Sequence, residues 1–161
     1  MRYYIDTEFD GHNGPLLSIA MVSDDGRSIH IKTTEEARDP WVIANVIPLM
    51  DEHHASVNWH VPLNDVGVVL REFIGSTEPV VIADSPVDIG RFCDALTTSP
   101  TGGWASAEYR LMTFEVHNVD CYPTTLEGAV QHNAWWDAMA LRRLLTESLA
   151  KHDKKRRRVN G

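Results

Sequence analysis

Three short runs of β-forming and apolar residues open the chain. Arg2–Asp6, Leu16–Val22 and Ser28–Thr33 are each of strand length. Between them lie Gly11-His12-Asn13-Gly14-Pro15 and Asp24-Asp25-Gly26, the residue types that make tight reversals. Together they predict an antiparallel three-strand meander. The spacing then changes. Pro40 predicts a helix running to Met50, because helices tolerate proline in their first turn. After Pro62, Leu63, Val66, Val69, Leu70 and Phe73 recur at helical intervals. Val80–Ala83, behind Pro79, is a short apolar run of the kind that forms a buried strand. Val87–Leu96 predicts a helix, Ser99–Gly103 a loop, Arg110–Val116 a strand, and Ala134–Ala150 the last and longest helix. Hairpin strands followed by alternating helices and strands imply an α/β domain. Its sheet is expected to be mixed, the meander plus parallel strands, with helices flanking it.

Composition changes this picture in only one respect. The 161 residues, 43% hydrophobic and 24% charged, suit one globular domain with a sizeable core. There is no repeat or linker, and no run nears the roughly 20 apolar residues of a membrane helix. Asp6 interrupts the N-terminus too early for a hydrophobic signal region. Cys93 and Cys121 lack CxxC spacing, so reduced thiols in a cytoplasmic protein are expected. The charge, however, is split. Six of the 15 basic residues and one of the 23 acidic ones follow Ala150, which leaves 9 basic against 22 acidic in residues 1–150. An acidic body is unusual for a nucleic-acid binder unless carboxylates hold cations. Residues 1–150 are therefore read as the domain and 151–161 as a flexible basic tail, either a grip on phosphate or merely solvated chain.

The acids themselves are patterned. On a strand, side chains two apart share a face, so Asp6 and Glu8 project together near the end of the first strand. Two acids aimed at one spot repel unless a cation joins them, although DxE alone also fits a solvated strand end. In the last helix, Ala134, Ala138, Leu141, Leu145 and Ser148 trace a core-facing stripe, and Asp137 lies on the same side one turn before Leu141. A carboxylate on a buried face is costly unless paired or metal-bound. His132 is five residues earlier, roughly 140° away on a continuous helix, so it meets Asp137 only from a preceding loop. Asp88 lies one turn before Phe92 near the start of a helix that follows a strand. There it serves either as a ligand or as a first-turn acid complementing the helix dipole. Asp84 is the competing candidate, and Asp88 is preferred. Four acids and a histidine suit phosphodiester hydrolysis assisted by two divalent cations. Mg²⁺ or Mn²⁺ accepts such oxygen ligands, and a neutral imidazole can take a proton from water.

Asp6-Thr7-Glu8, the acid at Asp88 and His132-Asn133-Ala134-Trp135-Trp136-Asp137 resemble, in order and spacing, the three motifs of the DEDDh exonucleases. That superfamily includes ribonuclease T, oligoribonuclease and the proofreading subunit of DNA polymerase III. The resemblance spans residues 2–148. It implies a ribonuclease H-like fold and 3′–5′ hydrolysis to nucleoside 5′-monophosphates with two Mg²⁺ or Mn²⁺ ions. By the same resemblance, Asp6, Glu8 and Asp137 hold the first ion, Asp6 bridges to the second, Asp88 supports that one through water, and His132 is the general base. Asn133 stands where the tyrosine branch of the superfamily carries Tyr, so the histidine branch fits. Two departures stand out: Phe9 follows the glutamate where many members have Thr, and Ser85-Pro86-Val87 precede Asp88 instead of Asn and an aromatic. Asp-Thr-Glu-Phe is similar to small mycobacterial and phage exoribonucleases, which favours single-stranded RNA as substrate in a bacterial cytoplasm or from a phage gene.

Thr7, Phe9 and Trp104 are the expected substrate contacts, the aromatics by stacking on terminal bases. Trp135 and Trp136 fit core or dimer contacts, and the superfamily often forms homodimers. No membrane partner is expected. Two other readings stay open. A DNA exonuclease of repair or recombination would use the same acids, since the polymers differ at the 2′-hydroxyl. An inactive ribonuclease H-like binding module would be expected to lack one of the five residues, and all five are here.

Overall fold

A computed structural model describes residues 1–75, 78–98, 112–120 and 122–159, with side chains of the last helix to 148. Its sheet has six strands: β1 (Arg2–Phe9), β2 (Leu16–Ser23), β3 (Ser28–Thr33), β4 (Val57–Val61), β5 (Val80–Ala83) and β6 (Thr113–Val116). They are ordered β4-β3-β2-β1-β5-β6. The meander β1-β2-β3 is antiparallel as expected. β4 joins β3 in parallel, and β5 and β6 extend the other side in parallel from β1. The helices are α1 (Pro40–Asn45), α2 (Val66–Ile74), α3 (Pro86–Thr97) and α4 (Ala134–Val159). This is the mixed α/β architecture the pattern predicts, compatible with a ribonuclease H-like fold.

Helices cover both faces, which explains why all eight residues of β2 are buried. On one face, Tyr3, Ile5, Ile19, Met21, Ile29 and Ile31 pack with Val66, Leu70 and Ile74 of α2 and with Phe92, Ala95 and Leu96 of α3. On the other, Ala20 and Val22 meet Ala134, Trp135, Trp136 and Ala138 of α4, and Tyr4 and Ile82 meet Leu141. The two-residue period of β1 thus sends Tyr3 and Ile5 one way and Tyr4 the other. Gly67 lets α2 and α3 touch: a Cβ there would stand 2.2 Å from the Ala95 carbonyl oxygen. Both tryptophans of the last motif are core residues.

Several boundaries differ from expectation for identifiable reasons. The helix from Pro40 stops at Asn45 and continues only as a 3₁₀ turn at Ile47–Leu49, because Pro48 has no N–H for a helical ladder. The Pro62 segment likewise begins as a 3₁₀ turn, Leu63–Asp65, before α2. β4 is absent from the sequence reading; it is an edge strand whose residues are mostly exposed, so it buries no apolar run. β6 is shorter than Arg110–Val116, of which residues 110 and 111 lie outside the described ones, as do Ser99–Gly103, Trp104 and Cys121. α4 runs past Ala150 to Val159. Its buried stripe ends sooner than expected: Leu141 is buried, Leu145 half-buried and Ser148 exposed, as the helix passes beyond the sheet. Among the described residues, no helix is long and apolar enough to cross a membrane.

Candidate active site

At the ends of β1 and β5 the sheet opens into a cleft of about 420 Å³. This is where an open α/β sheet offers a crevice, outside the carboxyl ends of its strands. Asp6, Glu8, Asp88, His132 and Asp137 all line it, as do Thr7 and Phe9. Asp84 and Asp120 line it too, and among its described lining residues there is no lysine or arginine.

The acids form two overlapping groups. In the first, carboxylate oxygens of Asp6, Glu8 and Asp137 lie within 4.8 Å of one another; in the second, those of Asp6, Asp84 and Asp88 do. Asp6 belongs to both. The first group follows from strand alternation, which turns Asp6 and Glu8 toward the α4 face already occupied by Tyr4. Asp137 meets them from the first turn of α4. It is steadied locally: its Oδ2 accepts the Asn133 N–H at 3.2 Å, and its own N–H donates to the Asn133 carbonyl at 3.1 Å. Asn133 caps the helix by accepting from the Trp135 and Trp136 N–H groups, and its side-chain amide donates to the carbonyls of Leu49 and Met50.

His132 lies in the loop before α4, as the spacing requires. Its backbone is left-handed, φ 58°, alone in this among the described non-glycine residues, a conformation usually kept only where the surroundings enforce it. The imidazole is exposed to the cleft and stands edge-on to Trp41, ring centroids 5.0 Å apart. Trp41 was not among the residues singled out from the sequence. It is 54% exposed and, with Phe9, walls a neighbouring hollow that shares Glu8 with the cleft. Its signal was an aromatic in the first turn of a helix behind a capping aspartate, Asp39.

Asp88 is buried at the start of α3 and does not cap its own helix; Ser85 does that. Instead one oxygen, Oδ1, accepts the Thr7 N–H at 3.1 Å and the Thr7 hydroxyl at 2.5 Å. Thr7 therefore spends its donors on Asp88, whereas the sequence suggested a contact with substrate. Phe9 follows a register shift at the end of β1 and is covered by the Arg91 guanidinium, 4.9 Å from its ring centre. Trp104 lies outside the described residues.

Without counter-charge these acids are all shifted toward their protonated forms. Burial, reinforced by Asp88, Asp137, Glu8 and Asp84, raises Asp6 well above the ordinary carboxylate range. Burial and then the charge of Asp137 push Glu8 up to about 8. Burial raises Asp137 to about 7 against the opposing Asn133 N–H, and Asp88 to about 6 against the Thr7 hydroxyl. Clustered oxygen donors of this kind, offering one to two oxygens each, fit a hard divalent cation, which restores their charged forms.

No protein-family model matches the chain. A stretch of 53 residues is 45% identical to proteins named 3′–5′ exoribonuclease in two strains of Mycobacterium tuberculosis, CDC 1551 / Oshkosh and H37Rv. It covers 30% of this chain and 32% of each relative, so the similarity reaches about a third of the relatives' length.

Proposed function

We propose that the chain is a 3′–5′ exonuclease of the DEDDh type. In this reading it hydrolyses single-stranded RNA from the 3′ end to nucleoside 5′-monophosphates with two Mg²⁺ or Mn²⁺ ions. The observation that carries this is the convergence of Asp6, Glu8, Asp88, His132 and Asp137 on one cleft, whose acids, Asp84 included, form two groups that share Asp6. The partial identity to proteins named 3′–5′ exoribonuclease supports the choice of chemistry and of polymer.

Asp6, Glu8 and Asp137 would hold one ion, and Asp6 with the Asp88 side of the cleft the other. Such ions supply positive charge that favours ionisation of the attacking water and offsets charge on the phosphate and the departing 3′-oxygen. The chain's own residues arrange the rest. His132, on the exposed lip and fixed by its left-handed backbone, accepts the proton of the water whose oxygen forms the new bond to phosphorus. The bond from phosphorus to the 3′-oxygen breaks, and that oxygen takes a proton from solvent. Phe9 and Trp41 offer apolar faces for the terminal bases. The acidic body makes the ions a condition for approach of a polyanion.

The test is incubation of the purified protein with 5′-labelled single-stranded RNA and the matching DNA, with Mg²⁺, Mn²⁺ or EDTA. The expected result is a ladder shortening from the 3′ end of RNA, abolished by EDTA and by Asp6→Ala. Intact RNA with metal present overturns the reading, and faster loss of DNA moves it to the DNA enzyme.

A further inference from the structure

We propose that Asp84 is a direct ligand of the second divalent ion, making this a five-carboxylate site. The inference rests on the two-ion reading above and concerns the position left as runner-up to Asp88 in the sequence.

The placement begins with strand pairing. β1 and β5 run parallel with Tyr4 opposite Ile82. Two residues further on each chain come Asp6 and Asp84. The period of two puts both on the side of Tyr4 and Ile82, the α4 side. Asp84 is the first residue after β5, so its carboxylate rises from the floor of the cleft beside that of Asp6. The two meet within 4.8 Å, together with Asp88.

Asp88 arrives differently. It reaches in from α3, on the face of Tyr3 and Ile5, and its Oδ1 is bound twice by Thr7. That leaves Asp88 one oxygen to offer and makes it the anchored edge of the group. A Mg²⁺ or Mn²⁺ ion seated between Asp6 and this edge falls within reach of Asp84, and hard cations take carboxylate oxygens readily. Asp84 is half-buried and Asp88 buried, so Asp84 also stands nearer the solvent from which an ion enters.

Mn²⁺ binding to the full chain, followed by calorimetry and by loss of the free-ion electron paramagnetic signal, tests this directly. Wild type should take up two ions. Asp84→Asn should keep one at unchanged affinity and weaken the other at least about tenfold. A second readout separates contact from mere nearby charge: Asp84→Cys titrated with Cd²⁺ should show a thiolate-to-cadmium ultraviolet band that wild type, with its native cysteines, does not, because thiolates favour soft ions. If Asp84→Asn fails to fold, Asp84→Glu against Asp84→Gln carries the same comparison, with the second ion retained only by the acid. The proposal is overturned if the neutral variant binds both ions as wild type does, if wild type binds one ion, or if no band appears. Wild type that binds two ions yet leaves RNA and DNA intact overturns the exonuclease reading and leaves the Asp84 assignment standing.

Discussion

Asp137 and Asp88 sit on opposite sides of Asp6 and are held in place by opposite means. Asp137 takes its support from Asn133, four residues earlier in the same helix start. Asp88 takes its support from Thr7, 81 residues away and on another element. The first arrangement joins a loop histidine, a capping asparagine and a helical acid within one stretch of chain, with the Asn133 amide in turn tied to the Leu49 and Met50 carbonyls. The second exists only once α3 has packed against β1. The direct support of one acid is therefore local, and that of the other is tertiary.

The comparison can be broken most sharply at His132. His132→Ala should cut turnover by about 10² to 10⁴-fold, the usual range for a lost acid–base group, while Mn²⁺ binding holds. Steady-state kinetics and a metal titration on the same preparation check it, and parallel losses would make His132 part of the metal site instead. A paired substitution then contrasts the two supports. Thr7→Val keeps the shape of a buried strand residue and releases Asp88, so turnover should fall by about 10-fold or more with little change in melting temperature. Asn133→Ala removes a helix cap and should cost about 1 to 2 kcal/mol of stability in a denaturant titration. Equal stability losses in both variants would erase the distinction between a local and a tertiary support.

The smallest expected effect is on pH dependence. Asp88, Asp137 and Glu8 have folded-state values of about 6, 7 and 8, above the roughly 4 of an unfolded carboxylate. Between those limits the folded chain binds more protons than the unfolded one, so the metal-free protein should lose stability as pH rises from about 4 to about 8. Melting in EDTA at pH 5.5 and at pH 8 should show the higher midpoint at the lower pH. Added Mn²⁺ should raise the midpoint more at pH 8. A metal-free midpoint that rises with pH contradicts the arrangement of these acids.

The same contrast explains what could be read from the letters. The meander, β5, α3 and the start of α4 were legible because each carries its own period or its own turn residues. His132 and Asp137 were legible together because their spacing lies within one segment. Asp88 could be preferred over Asp84, but its anchoring could not be read, since the Thr7 bond that holds it is tertiary. Trp41 and β4 went unread because both are largely exposed: Trp41 joins no apolar stripe, and of the five residues of β4 Val61 alone packs against the core. The early stop of α1 was in plain view at Pro48, although the apolar residues around it suggested a longer helix.

The alternation of β1 carries a consequence for how such a chain tolerates change in length. Tyr3, Ile5 and Thr7 face one layer of the core and its anchor, while Tyr4, Asp6 and Glu8 face the other layer and the cleft. Inserting or deleting one residue before Asp6 would exchange these two sets, turning the acids into the α2–α3 core and tyrosine and isoleucine into the cleft. A frame of two residues is thus imposed on the beginning of the chain as strictly as the identity of its acids. The Gly11–Pro15 reversal, beyond the last acid of that strand, is where added length would leave the acids in register.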